Sequence, residues 1–254
     1  MRSVVSIGTF DGVHLGHQRL FARELAEAKV RGLRTVVVTF DRHPSVTVRP
    51  QTAPKVITDV PLKLELIEQC GVDEVVVLDF TPERAEQSAE AFVEELVTDL
   101  EAALVVVGEN FRFGHDHRGD VALLGSLGER LGFEAMGISL VADDATRSVV
   151  SSRHIRSLIT EGALEDAARL LGRPYELRGE WVGKPGGGAI TLASDRCRPP
   201  AGEYEVALRL SGQSPTEHTV GLRIDGFGHG EVAGSLFEFK PSDGQVVGAV
   251  FAPR

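Results

Sequence analysis

Two textures of hydrophobic and polar residues divide this chain. Through the first two thirds, short apolar runs alternate with longer stretches whose apolar residues recur three and four apart. The runs at 4–7, 35–40, 75–78, 103–107 and 135–140 predict strands. Near-continuous apolarity, clearest at 35–40, suits strands buried on both faces of a parallel sheet. The stretches at 19–31, 61–69, 88–96 and 123–131 predict helices. In the first of these, Leu20, Phe21, Leu25 and Ala28 form the expected apolar stripe, and Gly32 the C-cap. Pro61 suits a first helical turn. Two further helices are expected at 152–160 and 163–171, with Gly172 and Pro174 ending the second. The alternation predicts an α/β fold, an open parallel sheet with helices on both faces.

Beyond Tyr175 the helical period vanishes. Stretches at 177–182, 189–192, 204–210, 218–224, 231–239 and 246–251 alternate with period two between Gly- and Pro-rich turns. They predict a small antiparallel β-domain, a barrel or a sandwich. The expected domains are therefore 1–174 and 175–254, and a segment from Pro44 to about Thr58 carries no clear periodicity. It is long enough to act as a flap over a substrate.

Composition narrows the class. With 42% hydrophobic and 25% charged residues among 254, the chain reads as an ordinary globular protein. Its formal charge of -10 argues against bulk nucleic-acid or anionic-membrane binding but leaves room for a local anion site. No secretory signal is visible, and no stretch approaches the roughly 18 apolar residues of a membrane helix. Cys70 and Cys197 make no disulfide framework, so a cytoplasmic location is expected.

Candidate chemistry concentrates at strand-to-helix crossings. Gly8-Thr9-Phe10-Asp11-Gly12-Val13-His14-Leu15-Gly16-His17 joins the first strand to a helix expected near Gln18. Backbone N–H groups at a helix start attract anions. Gly8 and Gly16 allow close backbone approach, and His14 and His17 can donate to phosphate oxygens. A metal pair or two exposed turn histidines are the other readings, and His-x-x-His lacks a third ligand nearby. Asp11 either ties the loop together or orients Mg²⁺ or an acceptor phosphate, while Phe10 is either core or a lid over a planar ligand.

Ser151-Ser152-Arg153-His154-Ile155-Arg156 opens a helix with hydroxyls and positive charge. Cations there run against the helix dipole, which suggests a bound polyanion. Ser152 can serve as cap and phosphate contact, and Arg156 is the better phosphate ligand. The alternative is an N-cap with solvated arginines. After the fourth strand comes Gly108-Glu109-Asn110-Phe111-Arg112-Phe113-Gly114. Asn110 suits purine or ribose recognition, and Phe111 and Phe113 either stack on a ring or pack beneath the loop. After the second strand, Asp41 and His43 in Thr39-Phe40-Asp41-Arg42-His43-Pro44 are pocket candidates.

Together with Leu170-Leu171-Gly172-Arg173-Pro174-Tyr175, these segments resemble the adenylyltransferase module of the bifunctional riboflavin kinase/FAD synthetase family over roughly residues 1–176. The resemblance implies a Rossmann-like nucleotidyltransferase domain that transfers AMP from ATP to FMN with Mg²⁺. It implies that His14, His17 and Arg156 are catalytic. Gly8, Phe10, Gly16, His17, Asn110, Ser151, Ser152 and Arg156 would bind ATP, and Asp11, Asp41, His43, Phe111 and Arg118 would bind FMN. No certain metal ligand follows from it. A related acceptor phosphate, or a regulatory protein that binds flavin or nucleotide without turnover, are the alternatives.

Two departures stand out in that module. Arg42 replaces the family's usual Pro and Arg153 its usual Thr, both adding positive charge near the expected phosphates. The second domain departs further. Where the kinase module has a Pro-Thr-Ala-Asn motif, this chain reads Gly183-Lys184-Pro185-Gly186-Gly187-Gly188-Ala189-Ile190-Thr191-Leu192. The expectation is a trimmed barrel without kinase activity, with FMN supplied by a separate riboflavin kinase.

Overall fold

The structure is a computed structural model. It describes residues 1–143, 148–184, 187–216, 219–226, 229–233, 239 and 241–251. By internal contacts the chain forms two compact units. One comprises Met1–Pro54 and Lys63–Val150, the other Lys55–Leu62 and Ser151–Arg254.

The chain runs β1 (Ser3–Ile7), α1 (Leu15–Arg31), β2 (Arg34–Phe40), α2 (Pro44–Val48), α3 (Val60–Glu68), β3 (Glu74–Leu78), α4 (Pro82–Ala85), α5 (Ala89–Asp99), β4 (Ala102–Gly108), α6 (Val121–Leu131) and β5 (Glu134–Ile138). The five strands of the first unit pair in parallel in the order β3-β2-β1-β4-β5. The open parallel sheet expected from the sequence is therefore present. Alternate residues feed opposite faces. Val5, Val36, Val38, Val105 and Val107 pack with Phe92, Leu96, Leu124 and Leu127, while Val4, Val37, Leu104 and Val106 pack with Leu20, Phe21, Ala28 and Ile67. Both clusters are buried because both sheet faces carry helices, which is why the strands read as unbroken apolar runs.

Local details differ from the sequence pattern. Helix α1 starts at Leu15, not near Gln18, because His14 is its extended N-cap (φ -73, ψ 172), and Gly32 ends it in the left-handed region (φ 66). Gly16 hid that start, since glycine is a poor helix former whose cost tertiary packing here outweighs. The stripe of α1 buries Leu20, Phe21, Glu24 and Ala28, and Leu25 is only half-buried. After Pro44 a short helix and a 3₁₀ turn (Pro50–Thr52) stand where no regular structure was expected. The His43 ring caps α2 by accepting from the Ser45 amide at 3.2 Å, with Pro44 at the first position.

The second unit continues with α7 (Ser152–Glu161), α8 (Leu164–Leu171), β6 (Glu176–Lys184), β7 (Gly187–Thr191), β8 (Gly202–Leu210), β9 (Thr219–Ile224), β10 (His229–Ala233) and β11 (Val246–Phe251). Its strands form a closed antiparallel barrel, β10-β7-β6-β11-β8-β9, which decides between barrel and sandwich. Leu177, Trp181, Ile190, Val206, Leu208, Leu222, Val232, Val247 and Ala249 are buried on its inward side. A side chain at Gly188 would overlap the Trp181 indole, so the glycine makes room for the barrel's largest residue. Pro185, Gly186, His218 and most of the expected strand at 231–239, namely 234–238, lie outside the described residues.

Candidate active site

The strand order sets the stage. In β3-β2-β1-β4-β5 the direction of winding reverses between β1 and β4, and ligands of such sheets bind at that reversal, beyond the carboxyl ends of the strands. The histidine turn leaves β1 there, the Asn110 loop leaves β4, and the Asp41 loop leaves β2 beside them.

The turn after β1 holds an unusual backbone. Phe10 (φ 47), Gly12 (φ 85) and Val13 (φ 42) all adopt positive φ. Only glycine does so without strain, and for a β-branched valine the conformation is a true outlier. Burial enforces it, since Phe10 is 2% and Val13 1% exposed. The Val13 amide donates to the Phe10 carbonyl at 3.1 Å, and the Gln18 side chain donates to the Val13 carbonyl at 2.8 Å.

The strained turn delivers His14 and His17 as a stacked pair, ring centroids 3.6 Å apart and planes inclined by 20°. The Phe10 ring meets His17 edge-on at 5.2 Å and Phe21 at 4.8 Å. Phe10 is thus core rather than lid. A Cβ on Gly8 would come within 2.8 Å of the Phe10 ring, and one on Gly16 within 3.1 Å of the His14 ring. Each glycine therefore clears space for an aromatic ring of the turn itself. No side chain caps α1 and its first turn holds no acidic residue. The positive end of the helix dipole thus meets no carboxylate from its own first turn, as an anion site requires.

Between the first two loops lies Lys63, at 6% exposure. Its Nζ donates to the Phe40 carbonyl at 2.7 Å and the Thr9 carbonyl at 3.3 Å. Burial pushes its ammonium down to about 8, opposed by the nearby charges of Asp11 and Asp41. Asp11 is itself buried. Asp41 accepts from the Phe80 amide at 2.9 Å and from Arg42 Nε at 2.7 Å. Burial works against the Asp41 charge, but Arg42 and the Phe80 amide outweigh it and hold the carboxyl below its ordinary value. Arg42, expected to add charge near the phosphates, pairs with Asp41.

In the loop after β4, Asn110 is exposed. Phe111 stacks on Phe113 at 5.3 Å and 19°, and Phe113 is buried against Phe92. Of the two readings, packing holds for Phe113, and half-buried Phe111 leans on the same core. Arg118 is exposed, its guanidinium 3.8 Å from Asp116.

Ser151, Ser152 and Arg156 belong to the second unit. Ser151 caps α7 by accepting from the His154 amide at 3.3 Å, so Ser152 is the first helical residue and not the cap. The Arg156 side chain is half-buried and Arg153 exposed.

Lys63 and Glu24 carry chemistry that sequence reasoning missed. Each had a signal: Lys63 lies four before Ile67 and Glu24 four before Ala28, so both charges stand on buried helix faces. Glu24 is wholly buried, and desolvation lifts its carboxyl to about 8, above the opposing pull of Ser6 and the Val36 backbone. Among the described residues, no group of three or more His, Cys, Asp or Glu side chains is disposed to hold a metal, and no helix is long and apolar enough to cross a membrane.

Comparison with known proteins adds the following. A family model for FAD synthetase matches residues 1–154. The chain is 33% identical over 181 residues to the bifunctional riboflavin kinase/FMN adenylyltransferase of Buchnera aphidicola subsp. Schizaphis graminum, covering 71% of this chain and 58% of that protein. It is 34% identical over 226 residues to the protein of that name from Listeria monocytogenes, covering 84% of this chain and 70% of that one. The crystal structure of a protein described as a macrolide-efflux protein, from Streptococcus pneumoniae, superposes with a TM-score of 0.82 at 26% identity, covering 99% of this chain and 84% of the other.

Proposed function

Because the chain belongs to the FAD synthetase family, we propose that it transfers the adenylyl group of ATP to FMN, giving FAD and pyrophosphate. One observation carries the proposal: the stacked His14–His17 pair and the Asn110 loop flank the reversal in strand order, where such sheets bind nucleotides. An FMN phosphate oxygen attacks the α-phosphorus, the bond to the bridging oxygen of the β-phosphate breaks, and pyrophosphate leaves. The attacking oxygen is already anionic, so no protein base is required, and catalysis consists of positioning and charge stabilisation.

His14, His17 and Arg156 are assigned to the charge that builds on the phosphates. Ser151 and Ser152 are assigned to the triphosphate and Asn110 to the nucleotide pocket. Gly8, Phe10 and Gly16 shape the turn beneath it. Asp11, Asp41, His43, Phe111 and Arg118 are assigned to the FMN side. Mg²⁺ is assigned to the triphosphate itself, where phosphate oxygens and waters suit its hard, octahedral preference, and its charge offsets theirs. No protein cage of three ligands competes for it among the described residues.

Residues 1–174 are read as the transferase domain. The barrel of 175–254 is assigned no kinase activity, because the place of the Pro-Thr-Ala-Asn motif is taken by the glycine-rich stretch 183–192. A separate riboflavin kinase then supplies FMN. A cytoplasmic location fits this chemistry and the two free cysteines.

The test is a product assay with ATP and Mg²⁺, offering riboflavin or FMN in turn. FAD and pyrophosphate from FMN are expected, with no FMN from riboflavin. Replacing His14 or His17 by Ala is expected to lower kcat by about 10²–10³, as for other pre-organised donors. Unchanged turnover in both variants would refute their assignment.

A further inference from the structure

We infer that Lys63 is a positioning residue for adenylyl transfer, its buried ammonium holding the carboxyl end of β1 to that of β2 beneath the histidine turn. The inference rests on the proposed function for its activity readout, and on geometry for the rest. Two carbonyls converge on one Nζ: Thr9, next to strained Phe10, and Phe40, next to Asp41. The same Thr9 carbonyl also accepts from the Thr39 hydroxyl at 3.3 Å. Both strand ends are thus tied to one point on α3, at 6% exposure.

Burying an ammonium costs free energy, which hydrogen bonds and nearby opposite charge offset only in part. A hydrophobic side chain would fill this place more cheaply, as it does at Leu62 and Ile67 on the same helix. What a hydrocarbon cannot do is hold two carbonyls and face two carboxylates at once. The negative charges of Asp11, in the histidine turn, and Asp41, in the neighbouring loop, both favour the Lys63 ammonium. Arg42 faces Asp41 from the outer side. Without Lys63, Thr9 and Phe40 lose the donor they share, and only the Thr39 hydroxyl on the Thr9 carbonyl and the Gly8 amide on the Val38 carbonyl, at 3.1 Å, are left among the ties described between these strand ends. The φ 47 and φ 42 conformations of Phe10 and Val13 would lose a restraint, and the His14–His17 pair would wander from the reacting phosphorus. Misplacement of that kind lowers kcat more than substrate affinity.

The experiment compares the native chain with Lys63→Met and Lys63→Arg. Native protein that makes no FAD refutes the proposed function and not this inference. Given native activity, Lys63→Met is expected to lose at least tenfold in kcat, with KM for ATP changed less than threefold. Lys63→Arg, which keeps a charged donor, is expected to recover much of the loss. Amide hydrogen exchange supplies the readout independent of activity: residues 8–17 should exchange at least tenfold faster in Lys63→Met, with β4 unchanged. Should Lys63→Met precipitate, Lys63→Gln keeps one donor without the charge and answers the same question. Turnover within twofold of native, equal losses in the Met and Arg variants, or unaltered exchange at 8–17 would each overturn the inference.

Discussion

Replacing Glu24 by Gln should stabilise this protein at neutral pH and leave it nearly unchanged in mild acid. Glu24 is wholly buried on the inner face of α1, and its carboxyl is lifted from 4.5 to about 8 by desolvation, with the Asp73 charge adding a little. An unfolded chain ionises this group from about pH 4.5 upward, while the folded chain keeps its proton until about pH 8. The cost to folding is therefore absent below about pH 4.5, grows through the window between the two values, and is complete above about pH 8. At about 1.4 kcal/mol per pH unit, it amounts to about 3 kcal/mol at pH 7 and about 4–5 kcal/mol above pH 8.

Gln keeps the volume and has no proton to lose, so it removes that slope. The assay is urea unfolding of both proteins at pH 5 and pH 8, followed by far-UV circular dichroism. The stability difference between variant and native should widen by roughly 3–4 kcal/mol from the lower to the higher pH. A difference equal at the two pH values would refute the reasoning, since a carboxyl that ionises normally in the fold gives no such slope. The buried proton sits in the helix that carries His17, eleven residues beyond strained Val13. Natural sequences keep costs of this size where they serve something other than stability.

Other outcomes follow from the same structure. Gly188→Ala should press on the indole of Trp181, destabilising the barrel by about 1–3 kcal/mol and shifting emission from the chain's single tryptophan. Native emission and stability would refute the overlap of a Cβ at 188 with the indole. Ser151→Ala should cost about 1 kcal/mol through the lost cap of α7, and Ser152→Ala should weaken ATP binding by calorimetry. Arg42→Ala should let the Asp41 carboxyl rise toward its ordinary value, visible in an NMR pH titration, because the guanidinium that favours its charge is gone.

Much of the fold is legible in the sequence. The apolar runs predicted every strand of the parallel sheet, because strands buried on both faces admit few polar residues. Three of the four motif segments could be assigned to strand ends and the fourth to a helix start, and the parallel sheet brings those three to one edge. Less visible was whatever depends on which faces meet. Glu24 and Lys63 are charged letters in helical patterns that solvate easily in sequence, and only packing shows them enclosed. Phe10 reads as core or lid until Phe21 and His17 are seen packed against it, and the pairing of Arg42 with its neighbour Asp41 is likewise seen only in the fold.

The histidine turn marks the same division. Residue order alone determined that His14 and His17 stand where a strand hands over to a helix. It also determined that glycines flank them, because local chain geometry follows from local sequence. Tertiary structure decided that the turn is strained at Phe10 and Val13, that Gly8 serves the Phe10 ring, and that β1 lies beside β4 at the reversal of the sheet. Those facts depend on contacts between residues far apart in the chain, and hydrophobic burial, which has no direction and no sequence range, is what brings them together.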